Sequence, residues 1–164
     1  MRRSLAIAGA AVVIAMVAAG CGGKPSSSNS SAPASSSATA TGGATVTAKR
    51  SKLGAILVDG TGRTLYLFEK DQGTTSSCYS ACAGGWPPDT TNGAPRAGAG
   101  VSGSLLGTTT RTDGKTEVTY HGHPLYYFAG DRKPGDTNGE GLKAFGAEWY
   151  VLSAAGNKIE QEGS

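Results

Sequence analysis

Glycine and proline punctuate this chain so closely that long helices have no room to form. Over residues 46–164 no stretch free of both exceeds ten positions, whereas the mean α-helix runs about 11–12 residues and an interior glycine costs it about 1 kcal/mol. Between the breaks lie short runs rich in Val, Ile, Leu, Thr and Tyr, the composition of strands joined by tight turns. The expected fold class is therefore all-β, a small sandwich or barrel assembled from hairpins. Residues 55–58 and 64–68 flank Asp59-Gly60-Thr61-Gly62, and residues 105–111 and 116–120 flank a turn at Asp113-Gly114. Both pairs read as hairpins. His121-Gly122-His123 leads from Tyr120 into a further strand over 124–128, and residues 149–153 with 158–160 form a closing hairpin.

The residues before this region have a different character. Met1-Arg2-Arg3 precedes an almost wholly apolar run over 5–19 and then Gly20-Cys21, the order of a secretory signal and too short for a comfortable transmembrane helix. Ala18-Ala19-Gly20-Cys21 resembles the lipobox of bacterial lipoproteins. That resemblance implies removal of residues 1–20 as a signal peptide, covalent lipid on Cys21, and a head held at the extracytoplasmic face of the cell membrane. A plain secretory signal cut near Ala19, or an uncleaved anchor, is the alternative. Residues 22–45 contain 8 Ser, 5 Ala, 4 Gly, 3 Thr and 2 Pro, with no aromatic residue and no carboxylate. Such a segment buries too little apolar surface to offset its ordering entropy. With Cys21 it reads as a disordered, flexible tether over 21–45, of about 25–30 Å reach, leaving 46–164 as the β-rich head. The formal charge of +3 falls to +1 once Arg2 and Arg3 leave with the leader, so bulk electrostatics give no reason to expect a nucleic-acid partner.

The head repeats itself. Leu65-Tyr66-Leu67-Phe68-Glu69-Lys70-Asp71 matches Leu125-Tyr126-Tyr127-Phe128-Ala129-Gly130-Asp131 at an offset of 60, and each copy is followed by a glycine-containing loop and a tryptophan, Trp86 or Trp149. Alternate strand residues share a face, so Tyr66 goes with Phe68 and Tyr126 with Phe128. Two copies imply two similar β repeats packed together, over about 52–91 and 115–157. The tandem Tyr-x-Phe-x-x-Asp signature resembles the secreted bacterial lipoprotein repeat family of unknown function. Cys78-x-x-x-Cys82 and Trp86-Pro87-Pro88 after the first copy, and Gly122-His123-Pro124 leading the second, carry the same resemblance. It implies a cell-envelope lipoprotein and brings no reaction with it.

Several constellations could carry chemistry. Once Cys21 is assigned to lipid, Cys78 and Cys82 remain as a pair, which in an oxidising compartment forms a disulfide by default. The same thiols with His121 and His123 would supply a soft ligand set for copper or zinc, or a redox-active dithiol. Asp136-Thr137-Asn138-Gly139-Glu140 spaces oxygens as the start of a calcium loop does, but the bidentate Glu of that template falls one residue late, at Glu148. These residues read as turn formers. Tyr66, Phe68, Asp71, Tyr126, Phe128 and Asp131 are either core and turn residues of a fold built twice or a ligand platform. No nucleophile elbow, phosphate loop or dinucleotide fingerprint occurs. The resulting expectation is a membrane-anchored, non-enzymatic binding or interaction module with an envelope protein or small ligand as partner, needing no cofactor beyond its lipid. The alternative is a copper-like metal or thiol-redox lipoprotein.

Overall fold

The computed structural model describes residues 42–160. The signal segment, Cys21 and tether residues 22–41 lie outside the described residues. β1 (Thr45–Ser51) and β2 (Gly54–Asp59) form an antiparallel hairpin across Lys52-Leu53, in register from Val46 opposite Asp59 to Ser51 opposite Gly54. Gly54 closes that turn at φ +96°, a conformation open to glycine at little cost. β1 is a strand the sequence pattern does not announce, since Val46 is its one buried residue.

β3 (Tyr66–Phe68) pairs with β9 (Ala147–Val151), which also carries β8 (Leu142–Ala144). β5 (Leu106–Thr110), β6 (Thr116–Tyr120) and β7 (His123–Pro124) form a third sheet, and β4 (Arg96–Ala97) joins β1 in parallel. A short helix, α1 (Ala81–Gly85), sits within the cysteine loop. All-β architecture is therefore observed, as three small sheets whose two repeats fit a β-sandwich. Single-residue bridges tie strand residues to segments outside the strands, at Val58–Thr64, Ile56–Ser153, Tyr66–Tyr126 and Thr90–Glu117.

The hairpin around Asp113-Gly114 forms as the turn chemistry predicts, with Leu106 opposite Tyr120. His121 and Gly122 make the next turn with both φ angles positive, 50° and 84°, the geometry of a two-residue turn that follows strand twist. The expected strand over 124–128 is shorter than its pattern. β7 ends at Pro124, and Tyr126 pairs only singly with Tyr66 and Pro88. Pro87, Pro88 and Pro124 have no N–H to donate, so pairing beyond β7 is carried by the neighbouring residues, with Leu125 N donating to Val118 O and Tyr127 N to Pro87 O.

The core divides on either side of β3. Tyr66 and Phe68 join Ile56, Val58, Trp86, Tyr126, Trp149 and the two cysteines, whereas Leu65 and Leu67 join Val46, Leu57, Val118, Tyr120, Leu125 and Leu152. The period of two along the strand thus sends its aromatic residues to one core and its leucines to the other.

Candidate functional site at the repeat signature

The two signature strands meet at Tyr66 and Tyr126, whose backbones exchange a pair of hydrogen bonds: Tyr66 N donates to Tyr126 O at 2.9 Å and Tyr126 N to Tyr66 O at 3.0 Å. The side chains then cross between repeats. Tyr66 Oη donates to Asp131 Oδ2 and Tyr126 Oη to Asp71 Oδ2, both at 2.7 Å. Each tyrosine is therefore held by the aspartate of the other copy. The remaining oxygen of each carboxylate takes loop donors: Asp71 Oδ1 accepts from Ser77 N and Oγ, and Asp131 Oδ1 from Asn138 N and Nδ2. Each aspartate also donates its own N–H to the phenylalanine carbonyl three residues back, at 3.1 Å in both copies.

The rings cross in the same way. Phe68 stacks on Trp149 with centroids 4.0 Å apart, Trp149 stacks on Trp86 at 3.9 Å, and Trp86 packs on Phe128 at 4.4 Å. Tyr66 and Tyr126 stand edge-on to Trp86 and Trp149, at 5.3 and 5.2 Å. The result is a four-ring stack with local pseudo-twofold symmetry, in which each phenylalanine rests on the tryptophan that follows the other copy. Edge-to-face and offset contacts of this kind add about 0.5–1.5 kcal/mol per pair beyond the area they bury. Burial raises both phenols well above the ordinary tyrosine range, with the neighbouring carboxylates adding to it. Burial also raises Asp71 and Asp131, against the donors that favour their charged form.

The symmetry breaks beside Tyr126. Its hydroxyl also meets Ser76 Oγ at 2.7 Å, and Ser76 Oγ accepts from Arg111 at the same distance. Arg111 and Glu117, both with fully buried side chains, pair at 2.8 Å, and Arg111 also donates to Cys78 O at 2.6 Å. Glu117 Oε1 has no hydrogen-bond partner among the described residues, and burial pushes this carboxyl up to about 7 despite Arg111. Beside Tyr66 the equivalent space holds the N–H of Gly139, 3.3 Å from the hydroxyl. A Cβ on Gly139 would lie 2.7 Å from the Trp86 ring, so only glycine fits. Neither Arg111 nor Glu117 belongs to a motif of the sequence, although opposite charges flanking the Asp113-Gly114 turn are a signal for a cross-strand pair. Nor does Asp89, a buried carboxyl that accepts from Tyr127 Oη at 2.8 Å and is pushed up to about 6 by burial.

Cys78 and Cys82 form a disulfide with Cα atoms 5.2 Å apart, within the usual range of about 4.4–6.8 Å. The structure does not bring His121 and His123 to this pair. His121 lies in its turn with Nδ1 3.3 Å from Gly156 O, and His123 pairs with Tyr120 in β7, where burial lowers its pKa. Among the described residues no group of three or more His, Cys, Asp or Glu has a ligand-like arrangement. The loop that resembled a calcium site is tied up internally: Asp136 Oδ2 accepts the N–H groups of Arg132 and Lys133, and Glu140 Oε2 accepts that of Val151. A surface groove of about 950 Å³ runs between Thr91 and Thr108 and has Lys115 as its one charged lining residue.

No curated protein and no solved structure matches the chain. The family described as a secreted repeat of unknown function matches it twice, at residues 44–89 and 107–153. One match takes in β1 through Asp89 and the other β5 through β9, so each holds one signature copy and one tryptophan of the crossed stack. With both repeats matched over more than half its length, the chain belongs to this family of secreted repeats.

Proposed function

We propose that this protein is a lipid-anchored extracytoplasmic module whose repeated β head binds a partner or small ligand at the cell envelope without catalysing a reaction. Membership of a secreted family supports an extracellular or envelope location, and the lipobox-like Ala18-Ala19-Gly20-Cys21 supports the anchor. The observation that carries the non-enzymatic reading is the crossed signature itself. Its two phenols and two carboxylates bond to each other and to loop donors, so none is left with a free polar atom for substrate. A catalytic acid or base needs a proton path to a reacting group within about 2.6–3.2 Å, and here that reach is occupied by the partner repeat.

Intact mass of the protein isolated from membranes tests the anchor. An N-terminal Cys21 carrying acyl chains is expected, with a Cys21→Ser variant left unprocessed or released from the membrane. An unmodified mature N-terminus on wild-type protein contradicts the anchor. Substrate turnover by the purified chain, abolished by a point substitution at one residue, contradicts the non-enzymatic reading. The copper-like or thiol-redox alternative requires the Cys78–Cys82 bond to open, and mass measured with and without reductant and thiol label reports that state.

A further inference from the structure

A basic cleft lies outside the signature core. Between the loop joining β2 to β3 and the loop after the second signature is a cavity of about 280 Å³ whose lining includes Arg63, Tyr127, Phe128, Arg132 and Lys133. Its walls are clamped together: Gly135 N donates to Gly62 O at 2.8 Å and Thr64 Oγ1 to Asp136 O at 2.6 Å. The Arg63 guanidinium lies over the Tyr127 ring, 3.7 Å from its centroid, and Tyr127 is in turn fixed by its bond to Asp89. Lys49 reaches the same junction, with its ammonium 3.6 and 3.5 Å from where a Cβ on Gly62 or Gly135 would stand.

The carboxylates of this region, Asp131 in the cleft lining among them, are oriented by hydrogen bonds from neutral donors, whereas the cations have no carboxylate at ion-pair distance among the described residues. Asp59 accepts the N–H groups of Thr61 and Arg63, Asp131 accepts from Tyr66 and Asn138, and Asp136 accepts from the backbone of Arg132 and Lys133. Asp89 is buried beneath Tyr127. Lys49, Arg63, Arg132 and Lys133 form no ion pair among the described residues. A neighbouring cavity of about 340 Å³ shares Pro134 and extends the rim with Arg50 and Lys52. A preformed cleft with an aromatic wall, a guanidinium fork held on a ring and free ammonium groups is complementary to an oxyanion. Phosphate offers more acceptor oxygens than a carboxylate, and the volume lies at the small end of ligand sites.

We propose that this cleft binds a phosphate ester, either a small soluble one or the headgroup of an anionic lipid against which the basic rim also lies. The inference deepens the reading of the head as a binding module and rests on it. The test titrates the full chain in neutral detergent with inorganic phosphate, glycerol phosphate, short-chain phosphatidylglycerol and, as control, glycerol. Binding is read by calorimetry and by the Arg63 Nε–H resonance. Phosphate-bearing probes should shift Arg63 and glycerol should not. A response to glycerol phosphate identifies a soluble ester as sufficient, and one confined to the lipid probe identifies the headgroup.

Arg132→Gln with Lys133→Gln leaves the backbone bonds to Asp136 in place and should weaken binding by at least about tenfold, with an unchanged melting curve. Arg63→Lys should weaken it by less, and Lys115→Gln should have no effect. No response to any phosphate probe, or a response unaltered in the double variant, overturns the proposal. Neither readout depends on the anchor. A chain without lipid that binds phosphate contradicts the anchoring alone, and a lipidated chain silent to every phosphate probe contradicts the cleft alone.

Discussion

Beside Tyr126, the phenol–carboxylate bond is backed by Ser76, a buried Arg111–Glu117 pair and a disulfide-closed loop; beside Tyr66, the same bond is backed by one backbone N–H from Gly139 and by Asn138. The signature residues superpose in role, and each aspartate takes the backbone and side-chain donors of one loop residue, Ser77 or Asn138, while the groups behind the two hydroxyls differ. The difference separates two kinds of information in a repeated sequence. Tyrosine, phenylalanine, aspartate and the following tryptophan specify how the halves cross, and the loops around them vary as long as each hydroxyl and carboxylate oxygen finds a donor or acceptor. The first loop fills that need with buried charge and a covalent link. The second fills it with close backbone approach, and its outer residues carry the cations of the basic cleft.

The halves should respond alike where they share residues. Trp86→Ala and Trp149→Ala should each cost about 3–5 kcal/mol, the usual range for emptying a buried aromatic site, and by nearly equal amounts in chemical denaturation. A large inequality would break the equivalence of the two ends of the stack. Where the surroundings differ, so should the response. Arg111→Ala leaves Glu117 buried without its partner and should cost about 3–5 kcal/mol, whereas Gly139→Ala, which forces a methyl against Trp86, should cost about 1–3 kcal/mol. The ordering of these two variants sharpens the contrast.

The pH dependence follows from the side that carries buried carboxyls. Glu117 is raised from 4.5 to about 7 and Asp89 from 3.8 to about 6. A carboxyl whose folded pKa exceeds its unfolded one binds its proton more tightly when folded. Its stabilising contribution is full below about pH 4 and is lost as pH rises through about 6 to 7. Melting temperature should therefore fall between pH 4.5 and 7.5, by an amount on the order of a few kcal/mol in stability, and Glu117→Gln should flatten that slope. An effect in the range of Gly139→Ala is expected at the disulfide. Cys78→Ser with Cys82→Ser should cost about 2 kcal/mol for so short a loop, because Arg111 still holds Cys78 O.

Much of this architecture is legible in the chain. The glycine breaks exclude long helices, Asp113-Gly114 and His121-Gly122 place two hairpins, and the offset of 60 announces two units. Alternation in β3 correctly assigns Tyr66 and Phe68 to one face. What the pattern does not carry is pairing across sequence. Nothing local tells Tyr66 to choose Asp131, 65 residues away, over Asp71 five residues ahead. That choice follows from the Tyr66–Tyr126 backbone exchange, which aims each hydroxyl at the other repeat. Arg111 and Glu117 were hidden for a similar reason: charged residues in a short hairpin suggest an exposed pair, and their burial depends on the cysteine loop folding over them. Beyond Pro124 the segment pairs through the N–H groups of Leu125 and Tyr127 with two different neighbours, Val118 and Pro87, which no local pattern announces.

The crossing of the repeats is the central claim, and a pair of double-mutant cycles tests it directly. Tyr66→Phe is combined with Asp131→Asn in one cycle and with Asp71→Asn in the other, and stability is measured by denaturant unfolding. The crossed pair should show a coupling of about 1–2 kcal/mol, as for a hydrogen bond to a charged group. The pair within one repeat, which shares no hydrogen bond, should be additive within about 0.5 kcal/mol. Coupling between Tyr66 and Asp71 with additivity between Tyr66 and Asp131 would contradict the crossed architecture.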